Sequence, residues 1–493
     1  MSDKVKPKND GGSEPISERG RAYPSISKVP HLTVEERIAR GKAARAEVPR
    51  SAHGVFEPAA TRSDPIALLH EQDQTRVQDL VPIRYGRMLV SPFTFYRGAA
   101  LVMAADLAAT PTSGLRVQLC GDAHLSNFGV FASPERRLMF DANDFDETTP
   151  GPWEWDVKRL AASFDIAARN NGYTDAERRK IVLTCARGYR TAMATFATMS
   201  SLQVWYAHLN IEEQLKRLAA KLDPTRFKAL KKNLAKARAR DSVQAFTKLT
   251  RKDGGEPRIV SDPPLIVPME ELLPEGKDLD QVTDELMGVI RSYRKTLETD
   301  RRHLLEEYRF VQIARKVVGV GSVGTRSWII LLLGRDGGDP LFLQAKEAGE
   351  SVLEHFVGKS AFTNHGQRVV AGQRLMQANS DIFLGWQRVT GITDGVSRDF
   401  YIRQLKDMKG SADAEAMIPS GMAQYSRLCA WTLARAHARS GDRIAIASYL
   451  GKSDVFDRAI ADFSACYAEQ NERDYQVLTA AVKKGAIEVE TGL

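Results

Sequence analysis

The sequence predicts an α+β fold of two lobes, a helical lobe that comes first and a small sheet lobe that comes second, with C-terminal helices completing the first. Three observations predict it. Helical patterning runs from Trp155 to about Lys252 and returns over Met422–Arg439 and Asp454–Val482; short apolar, β-branched runs cluster between Phe310 and Gln404; and Gly254–Pro268, rich in Gly and Pro, separates the two textures. The 493 residues, 43% hydrophobic and 27% charged, exclude collagen-like, wholly disordered and disulfide-dense classes and suffice for about three domains. The longest apolar run, Ala99 to Ala105, has seven residues, against about 18 needed to span a bilayer, so no membrane partner is expected. Four cysteines without C-x-x-C spacing, and a polar N-terminus without an apolar leader core, point to reduced thiols in the cytoplasm.

In chain order, residues 1–30 read as a disordered tail. Thr33 to Glu36 has the form of a capping box, with Leu32 as its staple, opening a helix through about Ala46. Residues 64–110 are helix-rich, ending in the Ala-rich Gly98–Ala109, and Leu115–Cys120 alternates as a half-buried strand. Leu138–Phe140 is a second strand, running into an acidic cluster. The helical block that follows completes a lobe over 31–255, and 256–309 forms a connection with one helix from about Leu279 to Tyr308. The sheet lobe, 310–407, has strands at Phe310–Val318, Arg326–Leu333, Leu341–Lys346, Ile382–Thr390 and Arg398–Gln404, with a helix at about Gly366–Ala378 between the third and fourth. Residues 408–493 are helical again.

Charge is concentrated. Residues 215–252 hold 13 Lys and Arg against two Asp, a local +11 in a chain whose total is +8, so the remainder is slightly acidic. Such a segment is either a face for an anionic partner or a solvated helix surface.

Three motifs carry chemistry. Gly121-Asp122-Ala123-His124-Leu125-Ser126-Asn127 follows a strand and spaces an Asp and an Asn as a phosphotransferase loop does: Asp122 to orient and deprotonate an attacking hydroxyl, Asn127 to hold magnesium. The alternative is an Asx-rich turn. About 20 residues on, Phe140 to Glu147 offers carboxylates at a strand end, with Asp144 the choice for a metal and Asp141 and Asp146 as neighbours. Asp156, opening the next helix, is a candidate to hydrogen-bond the catalytic-loop backbone, or simply an N-cap. The third motif, Gly319-Val320-Gly321-Ser322-Val323-Gly324, precedes a strand, not a helix, which favours a hairpin over phosphates against a dinucleotide fold. Gly319, Gly321, Ser322 and Gly324 would cover the phosphates of ATP. Lys346, on the next strand, would clamp them, with Glu347, Glu350 or Glu354 as its carboxylate partner; a snorkelling strand-end lysine is the alternative.

Asp122 to Asn127 with Asp144 resembles the G-D-x-H-x-x-N and D-F-D segments of aminoglycoside-phosphotransferase-like kinases. From about His31 to Tyr475 the chain also resembles a bacterial family catalogued as domain of unknown function 2252, through RYGRMLVSPFTFYRGAA (84–100), VQLCGDAHLSNFGVFASPERRLMFDANDFDETTPGPWEWDVKRLAAS (117–163), VVGVGSVGTRSWIILLLG (317–334), FLQAKEA (342–348) and NHGQRVVAGQRLMQ (364–377). The likeness implies a kinase-like bilobal fold. Its motif order is inverted, Asp122 and Asp144 preceding Gly319 and Lys346, which a circular permutation explains, with a hinge near Gln404 to Asp407 and Met422–Arg439 as the helix that would lead into the catalytic loop. Cys120 stands near where many kinases have a His.

The function expected is ATP- and magnesium-dependent phosphoryl transfer to an unidentified acceptor, which the basic segment favours as anionic over a cationic aminoglycoside, with Arg84, Arg87 and Arg97 as candidates to line its site or as structural arginines. Nucleotidyl transfer or non-catalytic nucleotide binding would use the same motifs. Asp122-x-His124 also opens metallophosphoesterase sites, but Asn364-His365 alone is a poor further ligand set. His437-x-Arg439-x-x-Asp442 imitates a catalytic loop, yet has Ala447 where the metal ligand belongs and reads as a helix end.

Overall fold

The computed structural model describes residues 31–213, 224–276, 278–391, 394–405 and 407–493; the predicted tail and residues 215–223 of the basic segment lie outside these. The fold is mixed α+β. Thr33 and Glu36 form the expected capping box on the helix Val34–Glu47, whose Gly41 lies so close to Ala445 that any side chain would strike it. The region 65–108 is four short helices, Pro65–Asp73, Val81–Met88, Pro92–Gly98 and Ala100–Ala108. The body is built on long helices, Trp153–Asn170, Asp175–Thr198, Pro419–Ser440 and Val455–Lys483, whose apolar stripes share one core containing Trp153, Phe164, Tyr189, Leu433 and Phe463. Among the described residues no helix is long and apolar enough to cross a membrane.

Seven strands precede the main sheet: β1 (Arg116–Leu119), β2 (Phe128–Ala132), β3 (Leu138–Ala142), β4 (Thr149–Pro152), β5 (Leu209–Asn210), β6 (Thr250–Asp253) and β7 (Glu256–Ile259). β1 pairs with β4, and β2 with β3, both antiparallel. The sequence reading passed over β2, β4 and β5, which are short, and β4 contains two prolines that fit only an edge ladder.

A six-stranded antiparallel sheet follows, in the order β12-β13-β11-β10-β9-β8, made of β8 (Ile266–Pro268), β9 (Arg309–Lys316), β10 (Ser327–Leu333), β11 (Pro340–Ala348), β12 (Gly385–Thr390) and β13 (Ser397–Gln404). The helix His365–Met376 connects β11 to β12, as expected. A last short strand, β14 (Gly410–Ser411), pairs with β2 and ties the segment after β13 to the helical body.

Two expectations are corrected. The helix from Leu279 to Tyr308 is two, Leu279–Arg294 and Thr299–Glu306, because the chain turns at Lys295–Glu298 to bury Leu297 with Tyr293 and Phe383. The stretch before Pro268, expected as a connection or hairpin, is more than either: β6 and β7 pair as a hairpin, but β8 also extends the sheet, and the helix Ser242–Leu249 packs Ala245 with Ala314, Ile329, Leu331 and Phe342.

Side-chain alternation gives this sheet two faces. Leu341, Leu343 and Ala345 share a core with Ile313, Ile330, Phe400, Ile402 and Tyr293, under the helix Leu279–Arg294. Phe342, Gln344 and Lys346 point the other way, and Lys346 lies in register with Ser327 and Tyr401.

Candidate active site

β1 delivers the chain into the loop 120–127 through Gly121, whose φ is +86° and whose missing side chain lets the Glu147 carbonyl approach: a Cβ there would lie 2.3 Å from that oxygen. The loop is held from below by Asp156. Its two carboxylate oxygens accept the backbone N–H of Cys120 (2.7 Å) and Gly121 (3.0 Å), the role the sequence proposed for it, and Pro152 is the residue at the helix N-cap instead. His437 Nε2 lies 3.2 Å from Asp156 Oδ2, and its Nδ1 lies 2.8 Å from the Tyr189 hydroxyl. His437 does sit in the last turn of its helix, as expected, and Asp442 caps the helix that follows. Ser163 Oγ accepts Leu125 N at 3.0 Å, and the Tyr425 hydroxyl donates to the carbonyls of Leu125 and Phe128.

Within the loop, Asn127 Nδ2 donates to the Asp122 carbonyl at 2.7 Å, which leaves the Asn127 amide oxygen for another partner. Arg159, buried and stacked over Tyr96 at 4.4 Å, places Nε 2.6 Å and Nη2 2.5 Å from Asp122 Oδ1. His124 is buried, and burial with Arg97 and Arg159 nearby pushes its pKa well below the usual range, so it is neutral.

The acidic segment is stitched to this loop by Asn143 N, which donates to Asn127 O at 3.0 Å. Among the described residues Asp144 accepts only the N–H of Asp146, at 3.2 Å. Burial first, and the Asp146 charge second, raise its pKa. Asp146 differs. Lys346 Nζ is 2.5 Å from its Oδ2, and the Tyr401 hydroxyl donates to its Oδ1 at 2.6 Å. Burial acts to raise the Asp146 pKa, but the Lys346 ammonium outweighs it and the net shift is downward. Asp141 is taken up by Arg435, 2.6 Å away, deep in the helical body.

Lys346 therefore has a carboxylate partner, but none of the three glutamates considered. Glu347, the next residue on the strand, faces the other way and meets Arg326 and Arg398 at 3.3 and 3.6 Å. Glu354 accepts the N–H groups of Ser351 and Ser360. From the helix His365–Met376 the residue that reaches the site is Arg368, donating to the carbonyls of Asp146 (2.9 Å), Thr148 (2.6 Å) and Gly349 (2.9 Å).

The Gly-rich loop joins β9 to β10, with positive φ at Gly319 (+70°) and Gly324 (+88°). It lies against the short helices of the first lobe. Arg87 donates to Gly319 O at 2.6 Å, Val77 N donates to Gly324 O at 2.8 Å, and Arg76 donates to Val323 O. Gly321 is required where it stands, because a Cβ would lie 2.9 Å from Arg97 O. Arg84 is structural, donating to Gly98 O at 3.0 Å and pairing with Asp73.

These elements enclose a cleft of about 530 Å3, lined by Asp122, Asn127, Asp144, Gly319, Gly321 and Ser322, together with Arg97, Asp146 and Glu147. Lys346 sits behind Asp146, and neither it nor Gly324 lines the cleft. The residues the sequence left unassigned, Arg159, Tyr401 and Arg368, reach the site from helices and strands far away in the chain, and no local pattern marks them.

Among the described residues no group of three or more His, Cys, Asp or Glu side chains is arranged to hold a metal ion. Asp144 and the Asn127 amide oxygen supply one carboxylate and one neutral oxygen, a donor set that suits magnesium when phosphate and water complete the shell. Asn364 and His365, a poor ligand set for a dinuclear site, stand at a helix start as expected: Asn364 caps the helix that His365 opens, and its Nδ2 donates to Asp399 at 2.9 Å.

A family model described as an uncharacterized protein conserved in bacteria (DUF2252) matches residues 76–481, and the chain belongs to that family. No curated protein and no solved structure matches it.

Proposed function

We propose that the protein is an ATP- and magnesium-dependent phosphotransferase with a circularly permuted, kinase-like bilobal fold. The observation that carries the reading is the Lys346–Asp146 pair at 2.5 Å, which brings the strand after the Gly-rich loop onto the acidic turn beside Asp122 and Asn127, although 200 residues separate them. The topology supports it. The main run of the sheet, β9 to β13 in the chain, is arranged β9-β10-β11-β13-β12, and in chain order it has the Gly-rich loop at the first turn, the lysine on the third strand and a helix between the third and fourth. The end of the helix Pro419–Ser440 abuts β1 so closely that a Cβ on Gly441 would lie 2.9 Å from Arg116 O. A helix that would run into the catalytic loop in the unpermuted order thus ends where that loop's strand begins.

In this reading Gly319, Gly321 and Ser322 cover the phosphates, Gly324 anchors the loop behind them against Arg76 and Val77, and Asn127 and Asp144 hold the metal, which when bound draws charge from the transferred group. Asp122 orients the acceptor and takes its proton where it carries one. Lys346 holds the acidic turn and lends positive charge to the phosphate end. The base is assigned to a cavity of about 50 Å3 beside Gln377, Arg403, Leu405 and Lys409, which nucleotide binding is expected to widen. The exposed Lys228, Lys231, Lys232 and Lys236 of the basic segment remain a proposed surface for an anionic partner.

Turnover tests the reading. ATP and magnesium are supplied with a small-molecule extract as acceptor source, and ADP and pyrophosphate are both measured. Release of ADP that falls at least about 100-fold in Asp122→Ala is expected for a group at the reacting centre. Pyrophosphate in its place would assign nucleotidyl transfer, and release of neither would remove the enzymatic reading.

A further inference from the structure

We propose that the acceptor is an oxyanion, a small molecule that presents a carboxylate or phosphate to the guanidinium of Arg97 at the Asp122 end of the cleft. This rests on the phosphotransferase reading and names its substrate class.

Arginines crowd this site, and nearly all are spoken for. Arg76, Arg87, Arg368 and Arg403 donate to the carbonyls of Val323, Gly319, Asp146 and Asn143, and Arg159 pairs with Asp122. Arg97 is the exception. It lines the cleft, its Nε is buried without a hydrogen-bond partner, and among the described residues it has no ion pair; its guanidinium carbon lies 6.0 Å from the centre of the Phe93 ring. Burial lowers its pKa, and the nearby charges of Asp122 and Glu415 only partly offset that. An arginine that lines a cleft with its Nε buried and unpartnered, and with no ion pair on its guanidinium among the described residues, is suited to receive an oxyanion, which guanidinium binds with two parallel hydrogen bonds. Its backbone is fixed too, because Gly321 packs on the Arg97 carbonyl, so the fork stands beside the loop assigned to the phosphates.

The state of Asp122 agrees. Its Oδ1 is already committed to two N–H groups of Arg159, and that guanidinium offsets the charge an anionic acceptor would meet. With an oxyanion as nucleophile no proton has to be removed. The acceptor oxygen bonds to the γ-phosphorus, the bond from that phosphorus to the β,γ-bridging oxygen breaks, and its electron pair leaves with ADP. The product is an acyl phosphate or a phosphoanhydride, according to the acceptor.

The test is thermal unfolding of the full chain with saturating ADP and magnesium, titrated with malonate, inorganic phosphate, glycerol or ethanolamine. The expected result is a rise in Tm of a few degrees with malonate or phosphate, absent with glycerol and ethanolamine, lost in Arg97→Ala and partly restored in Arg97→Lys. Whichever of malonate and phosphate acts identifies the anion. No shift with either anion, an equal shift in Arg97→Ala, or a shift with ethanolamine alone overturns the proposal. Failure of ADP itself to shift Tm counts against the phosphotransferase reading instead, and the anion titration on the protein alone still reads Arg97.

Discussion

Asp144 and Asp146 stand two residues apart on one turn and in opposite electrostatic circumstances. Asp146 has a lysine on one oxygen and a tyrosine hydroxyl on the other, and its pKa is driven down. Asp144 has one backbone N–H, a like charge beside it, and a pKa driven up. The first carboxylate is complete within the protein and joins the sheet lobe to the helical body. The second has no ion pair among the described residues, and in the proposed reading it is the carboxylate that holds the metal.

That contrast can be broken from either side. The largest effect is expected from Asp146→Ala, which strands the buried Lys346 ammonium and should cost about 3 kcal/mol in urea unfolding, the low end for a broken buried pair because Asp146 keeps some water access. The pH dependence follows from the downward shift. The Asp146 contribution is fully present above the ordinary carboxylate range, about pH 4, and is lost as pH falls through its lower folded value; in Asp146→Ala that acid-side loss should shrink.

Asp156→Ala is expected to cost about 1–3 kcal/mol, since two buried N–H groups lose their acceptor, and to disorder the loop 120–127, read as faster amide exchange at Cys120 and Gly121.

Asp144→Asn should do the reverse to stability. A carboxylate whose folded pKa is raised weakens the folded state as pH climbs from its unfolded value to its folded one, so removing the charge should leave the unliganded Tm at neutral pH unchanged or higher. The same substitution should abolish magnesium-dependent nucleotide binding, separating stability from function where Asp146→Ala joins them.

The smallest expected effect is a proton. Arg403 beside it, and then burial, push the Lys409 ammonium down to about 7, and a bound phosphate would restore its charge. ATP binding at pH 7–8 should therefore take up protons and weaken as pH rises. Calorimetry in buffers of different ionisation enthalpy measures the uptake, and Lys409→Met should remove it.

The parts of the site legible in the sequence are those fixed by local spacing. The loop from Asp122 to Asn127, the turn at Asp144, the Gly-rich loop between two strands and the Asp156 carboxylate all follow from a few consecutive residues. The partner of Lys346 was not legible, because it depends on a contact across 200 residues, and strand alternation alone already turns Glu347 away. The same reasoning covers the fold. The five long strands and the helix His365–Met376 show their periodicity, whereas β8 is three residues long and the break at Lys295–Glu298 is set by where Leu297 finds a core. The short helix Ser242–Leu249 belongs by patterning to the helical block and by packing to the sheet.

The most direct measurement is calorimetric titration of ATP into the protein with and without magnesium, repeated on Asp144→Ala. The account predicts saturable binding that strengthens with magnesium in the parent and loses that magnesium dependence in the variant. Absence of ATP binding by the parent, or binding whose magnesium dependence survives the loss of Asp144, would contradict it.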